Sequence, residues 1–191
     1  MSDSNLPEEL ELALRPAARV MQIIIGALFL GASFFVGIVL FLRLGQPGPA
    51  GNAQQFLTPI ALGFALLAIV GSAIVPNLIV RQMRHSIVRG TFRMPSGEGT
   101  PEKQRQILDS LGPAAPLCVV CQTKLIIGAA MLEGAAFFNA IAYLIEGNAL
   151  ALAAIAVLLV LLLSKFPTSA RIAAWMVPQM RLIDEEKSLS R

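Results

Sequence analysis

The sequence predicts an all-α, polytopic membrane protein with four transmembrane helices and an interfacial C-terminal helix. Three observations lead there. First, the 191-residue chain is 55% hydrophobic and only 14% charged, where soluble domains carry about a quarter charged residues. Its mean hydropathy is +0.70. Second, the apolar residues collect in four long runs. Each can cross about 30 Å of hydrocarbon as a helix rising about 1.5 Å per residue. Third, fourteen of the fifteen Lys and Arg residues fall on one side of those four crossings. Period-two alternation is missing, which argues against a β-barrel.

Residues 1–19 are expected to be a cytoplasmic N-terminal segment. Its uneven apolar face suits a short interfacial helix, broken by Pro16. Acidic residues and a long apolar run exclude a cleaved signal peptide, and the Met-Ser start lacks the glycine needed for myristoylation. Residues 20–80 form the first transmembrane hairpin: 20–42 and 57–80 contain no charge. Residues 45–52 between them are Gly/Pro punctuation. Residues 81–124 are a cytoplasmic loop in which Thr100, Pro101 and Gly112 supply the cap, first-turn and stop signals of a short helix.

The second hairpin covers residues 125–166. Its spans are 125–145, with Glu133 as the one charge, and 147–166, with Lys165 near the end. The brief connection at Glu146-Gly147-Asn148 forces these two spans into antiparallel neighbours. Residues 167–191 are the interfacial helix and tail. Ile172, Trp175, Met176, Met180 and Ile183 recur at helical spacing beside Arg171, Arg181 and Lys187, with Trp175 suited to headgroup depth.

The basic residues orient this arrangement. Arg43 is the one Lys or Arg on the outer side; the rest flank the inner ends of the spans. The positive-inside rule then puts both termini and the middle loop in the cytoplasm, as a multi-pass protein of a cell inner membrane.

Glu133 is the leading candidate for chemistry, because a carboxyl near the bilayer midplane costs several kcal/mol unless paired, hydrated or protonated. Depth along the spans brings Ser72 and Ser33 near its plane. One reading is a proton- or cation-exchanging group. The other is a neutral glutamic acid that ties helices together. Asn139 lies about 120° around the helix from Glu133 and is expected to make its own interhelical hydrogen bond. Tyr143 anchors the outer interface, and Pro76 is expected to kink the second span. Arg81, Arg84, Arg89 and Arg93 are candidate anionic-lipid contacts or simply topology-setting charge.

Cys118 and Cys121 have the C-x-x-C spacing but no second ligand pair for zinc, and no βαβ context for redox work. They read as two unrelated membrane-proximal thiols. No nucleophile elbow, phosphate loop, metalloprotease motif or nucleic-acid signature is present. The expectation is a non-enzymatic protein with no cofactor, no metal and no nucleic-acid partner. It acts in the lipid bilayer as a homo-oligomer or membrane-complex subunit, with a small proton- or cation-conducting protein as the alternative. The pairs Ala27/Gly31, Ser33/Gly37, Ala61/Ala65, Ala68/Ser72 and Ala130/Gly134 have the spacing that lets helices approach closely.

Residues 122–148, from Gln122 through Leu132-Glu133-Gly134 to Glu146-Gly147-Asn148, together with Phe166-Pro167-Thr168, Arg171 and Trp175, resemble uncharacterised four-span bacterial membrane proteins of planctomycete type. That resemblance covers about a quarter of the chain and implies no activity. The Leu132-Glu133-Gly134 helix also looks like the carboxylate helix of rotor c-type subunits of rotary ATP synthases, which would make Glu133 the ion-carrying residue. Rotor hairpins place their polar loop in the cytoplasm, whereas both short loops here are expected outside.

Overall fold

The computed structural model describes residues 6–45, 56–92, 102 and 114–189. Among them the chain is helical, with no strand, in five helices: α1 (Leu6–Leu44), α2 (Leu57–Val88), α3 (Ala115–Glu146), α4 (Ala149–Ser164) and α5 (Ser169–Leu189). Glu102 is helical; the rest of the helix expected near residues 100–112, most of the first external loop and Arg93 lie outside the described residues.

Among the described residues three helices are long and apolar enough to cross a membrane: the Glu11–Leu44 part of α1, then α2 and α3. α4 is shorter than the fourth apolar run. It has 16 residues, about 24 Å of rise. It starts only after Gly147, whose φ is +66°, and after Asn148, whose side chain caps it by accepting from the Leu150 amide at 2.9 Å. It stops at Lys165 because Pro167 disfavours helix in the residue before it and offers no amide of its own. Thr168 then opens α5, its carbonyl accepting from the Ile172 amide at 3.0 Å and its hydroxyl from the Arg171 amide at 3.3 Å.

Pro16 does not end a separate N-terminal helix. α1 is one helix of 39 residues running through it. The proline removes one backbone bond, but Leu14, Ala17, Ala18 and Met21 around it are all at most 5% exposed. That burial outweighs the lost hydrogen bond and holds the turn. α2 likewise continues through Pro76. It ends where Gly90 turns at φ +68°, the conformation glycine adopts at no steric cost after a helix.

The chain forms two packed units. The first comprises Met1–Ile23, Asn77–Leu125 and Pro167–Arg191. Its core joins the starts of α1 and α3 to α5 through Leu14, Met21, Leu117, Cys118, Cys121, Ile172, Met176 and Ile183, among others. The apolar stripe of α5 is therefore spent largely on protein contacts. Trp175 packs at the edge of this core, with the Lys124 ammonium 5.2 Å from its ring centroid. Gln22 donates to the Pro167 carbonyl at 2.8 Å, and Ser169 to Glu11 at 3.1 Å.

The second unit comprises Ile24–Pro76 and Ile126–Phe166. Its buried contacts are dominated by small residues: Ala65 and Ala68 of α2 meet Ala129, Ala135 and Ala136 of α3, with Ile25, Leu132, Leu158 and Leu162 completing the layer. Gly128 of α3 faces the backbone of α2. A Cβ there would lie 3.4 Å from the Ser72 carbonyl oxygen and 3.6 Å from the Pro76 ring. That carbonyl has no helical donor one turn on, because Pro76 carries no N–H. Edge-to-face pairs Phe35–Phe137 and Phe64–Phe138, at 5.0 and 5.6 Å, flank the layer.

Candidate functional site

α3 carries Glu133 in the alanine-rich stretch between Lys124 and Asn139, and helical geometry decides which neighbour it meets. Phe137 is four residues on and so shares its face. Phe137 meets Phe35 of α1, and Glu133 meets α1 one turn earlier, at Gly31: a Cβ on Gly31 would lie 3.8 Å from Glu133 Oε1. That distance is ordinary van der Waals contact. Glu133 is partly exposed and has no hydrogen-bond or ion-pair partner among the described residues. Its neighbours Ala130 and Gly134 are exposed on the surface of the unit, as is Gly31.

Neither serine completes this site. Ser72 is buried, at 6% exposure, and its hydroxyl donates to the Ile69 carbonyl of its own helix at 2.9 Å. Ser72 is level with Gly128, five residues before Glu133 on α3. Ser33 is two residues beyond Gly31, about 200° further around α1. It lines a shallow open groove of about 580 Å³ with Leu30, Phe34, Gly37, Ile38 and Phe41.

Asn139 is separate from Glu133, as their angular offset predicts, and it is fully buried. Its Nδ2 donates to the Ala61 carbonyl of α2 at 3.0 Å and to the Ala135 carbonyl of its own helix at 2.9 Å. Its Oδ1 finds no donor among the described residues. Tyr143 is half-buried and packs between two apolar clusters near the α3–α4 turn.

Of the basic candidates, Arg81 and Arg89 are exposed. Arg84 turns inward and pairs with Glu186 of α5 at 3.0 Å, with His85 Nδ1 4.0 Å from the same carboxylate. Arg84 Nε is buried without a partner among the described residues. The cysteines share the first unit's core, at 2% and 5% exposure, and are reduced. Among the described residues no group of three His, Cys, Asp or Glu is arranged to hold a metal.

Sequence reasoning missed Glu146. It closes α3 and reaches the start of α2, where its carboxylate accepts from the Leu57 amide, from the Thr58 amide at 2.8 Å and from the Thr58 hydroxyl. A carboxylate here satisfies orphan amides and faces the positive end of the helix dipole. Desolvation pushes the Glu146 carboxyl upward, but the bonds from Thr58 and from the Leu57, Thr58 and Phe56 amides outweigh it and hold it below the usual carboxylate range. The signal available was an absence: α2 has no acidic residue in its first turn and no capping side chain at Phe56. Beside this cap, Arg43 Nη1 donates to the Leu144 carbonyl at 3.4 Å, and its guanidinium fills the space where a Cβ of Gly147 would project. The chain matches no protein-family model, no curated protein and no solved structure.

Proposed function

We propose that this chain is a non-enzymatic integral membrane protein that works as a subunit of a homo-oligomer, its helices packing against those of further copies. One observation carries the reading. Glu133 sits beside the middle of α1, half-exposed and without a partner, flanked by the outward-facing small residues Ala130, Gly134 and Gly31. An unpartnered carboxyl facing lipid tails is costly, and a neighbouring helix approaching over those small residues would satisfy it. The topology that goes with this reading has four spans, with α4 as the fourth, and both termini in the cytoplasm of a bacterial inner membrane. Charge asymmetry and the uncharged sequence of α4 support it. Arg81 and Arg89 are then placed to touch anionic headgroups. Mass measurement of the protein purified in mild detergent tests the proposal: a defined multimer is expected. A species holding a single copy of this chain would refute it.

The same carboxyl favours a second reading, a small proton- or cation-conducting protein in which Glu133 is the exchanging group. With the Ser72 hydroxyl committed to Ile69, the polar path would have to come from water or from neighbouring copies. Proton flux into proteoliposomes, compared between wild type and Glu133→Gln, separates the two. Glutamine keeps the shape but does not titrate. Flux abolished by that change favours conduction; absence of flux in a well-incorporated wild type leaves the packing role.

A further inference from the structure

The end of α2 carries its charged side chains on one side. The uncharged run 57–80 stops at Arg81, and Arg84 and His85 follow at the three- and four-residue spacing that makes helix neighbours. Arg81 and His85 are exposed. At about 1.5 Å per residue, Arg84 and His85 stand about 5–6 Å beyond Arg81 along the axis. That is within a headgroup layer of roughly 5–8 Å on each side of the hydrocarbon. Glu186 of α5, in the same packed unit, meets this cluster. Its Oε1 is 3.0 Å from Arg84 Nη2 and its Oε2 is 4.0 Å from His85 Nδ1. Asp184 and Glu185 are exposed, lie about 160° and 100° away around α5, and make no ion pair among the described residues. Glu186 is an incomplete partner. It takes one nitrogen of Arg84 and leaves Nε buried with no acceptor among the described residues, and a buried donor left unmet is costly.

We propose that this side of α2 binds the phosphate of an anionic phospholipid, and that Glu186 is a built-in competitor that limits its access. Clusters of Arg and Lys just outside a span attract anionic lipids, each cation contributing about fivefold in affinity. Arg81 and His85, one turn apart and both exposed, are placed to straddle a phosphate at headgroup depth. Phosphate oxygens also take a guanidinium edge-on, two N–H groups at once, where Glu186 takes one. Lipid phosphate and the α5 carboxylate therefore compete for Arg84 and His85, and an anionic bilayer loosens the hold of α5 on α2. The inference rests on the membrane topology proposed above and is independent of the oligomer.

Native mass spectrometry of the full chain in detergent, titrated with phosphatidylglycerol or phosphatidylcholine, tests it. Wild type should retain phosphatidylglycerol in preference. Glu186→Gln keeps the size and removes the charge, and should tighten phosphatidylglycerol binding about fivefold while leaving phosphatidylcholine unchanged. Glu185→Gln makes the same change in net charge on another side of α5 and should shift the affinity by less than about twofold, because exposed charges facing away are screened. Arg81→Gln should weaken binding about fivefold. Excess inorganic phosphate, which brings no acyl chain, should not displace the lipid. Should Glu186→Gln fail to fold, Glu186→Asp, which draws the carboxylate back by one methylene, should shift the affinity in the same direction. No preference between the two lipids, unchanged or weaker binding by the Glu186 variants, equal shifts in Glu185→Gln and Glu186→Gln, or release by inorganic phosphate would each overturn the proposal. The same spectra count chains per particle. A single-copy particle that keeps the lipid preference would sink the oligomer and leave this site standing; a multimer without the preference would do the reverse.

Discussion

The two packed units of this chain fill their interiors with different side chains. In Ile24–Pro76 with Ile126–Phe166, nine of the sixteen residues in the buried clusters are alanine and none carries sulfur. In the unit built from Met1–Ile23, Asn77–Leu125 and Pro167–Arg191, five of thirteen are alanine and four are cysteine or methionine. Their surfaces differ in the opposite sense. Of the twenty-four exposed large hydrophobic residues among those described, twenty belong to the alanine-rich unit, with Phe34 at 74% and Phe41 at 76% exposure. Lipid tails are as apolar as leucine, so helices in hydrocarbon gain nothing by hiding large side chains. They gain by close backbone approach, which small residues allow. Where water is the solvent, burying large side chains drives packing at about 25 cal/mol per Å². The small-residue packing and apolar surface of the alanine-rich unit are what long apolar helices embedded in a membrane call for.

Substitutions should separate the two regimes. The largest loss is expected in the sulfur-containing core. Met176→Ala empties a fully buried position and should cost about 2–5 kcal/mol, read as a lowered thermal midpoint in detergent. In the other unit the damaging change is enlargement. Gly128→Leu must push α3 away from Ser72 and Pro76 and should cost about 1–3 kcal/mol. If Gly128→Leu proves neutral while Met176→Ala does not, close helix approach is not what holds the alanine-rich unit. Asn139→Val removes the bond to the Ala61 carbonyl and should cost about 0.6–1.7 kcal/mol, the range of interhelical hydrogen bonds in membranes. Its effect is at the low end because the unpaired Oδ1 goes too.

The smallest effect is a pH dependence. Since Glu146 is held below the ordinary carboxylate range, its contribution is fully present above about pH 5, past the unfolded value near 4.3. It is lost as pH falls through the lower folded value. Thermal midpoints measured from pH 7 downward should show this acid limb, and Glu146→Gln should flatten it.

Much of this architecture was legible in the sequence, because membrane spans are a local property: an uncharged run long enough for hydrocarbon is a helix whatever surrounds it. The helical stripe of α5 was legible for the same reason. What stayed hidden depends on residues distant in the chain. Nothing near Pro16 reveals that α5 and the start of α3 will bury Leu14 and Met21 and carry α1 through the proline. Glu146 reads as part of a turn until Leu57 and Thr58 arrive beside it. Cys118 and Cys121 give no sign in sequence that residues of α1 and α5 will bury them in one core. At the candidate site, the separate roles of Glu133 and Asn139 followed from angular spacing alone, but Gly31 as the neighbour of Glu133 did not. Depth had pointed to serines, and depth says nothing about which side of a helix faces which neighbour.

If the face carrying Glu133 meets another copy, as proposed, a Gly134→Cys protein should crosslink to its counterpart. The position is exposed, a Cβ there meets nothing within 4 Å, and the native cysteines are buried, so the parent protein is a clean background. Oxidative crosslinking in native membranes should give a covalent dimer with Gly134→Cys, none with the parent protein, and a weakened band when Glu133→Leu is added. A Gly134→Cys protein that stays monomeric, while a cysteine at exposed Val160 crosslinks as readily as random collision allows, would show that this face meets no second copy.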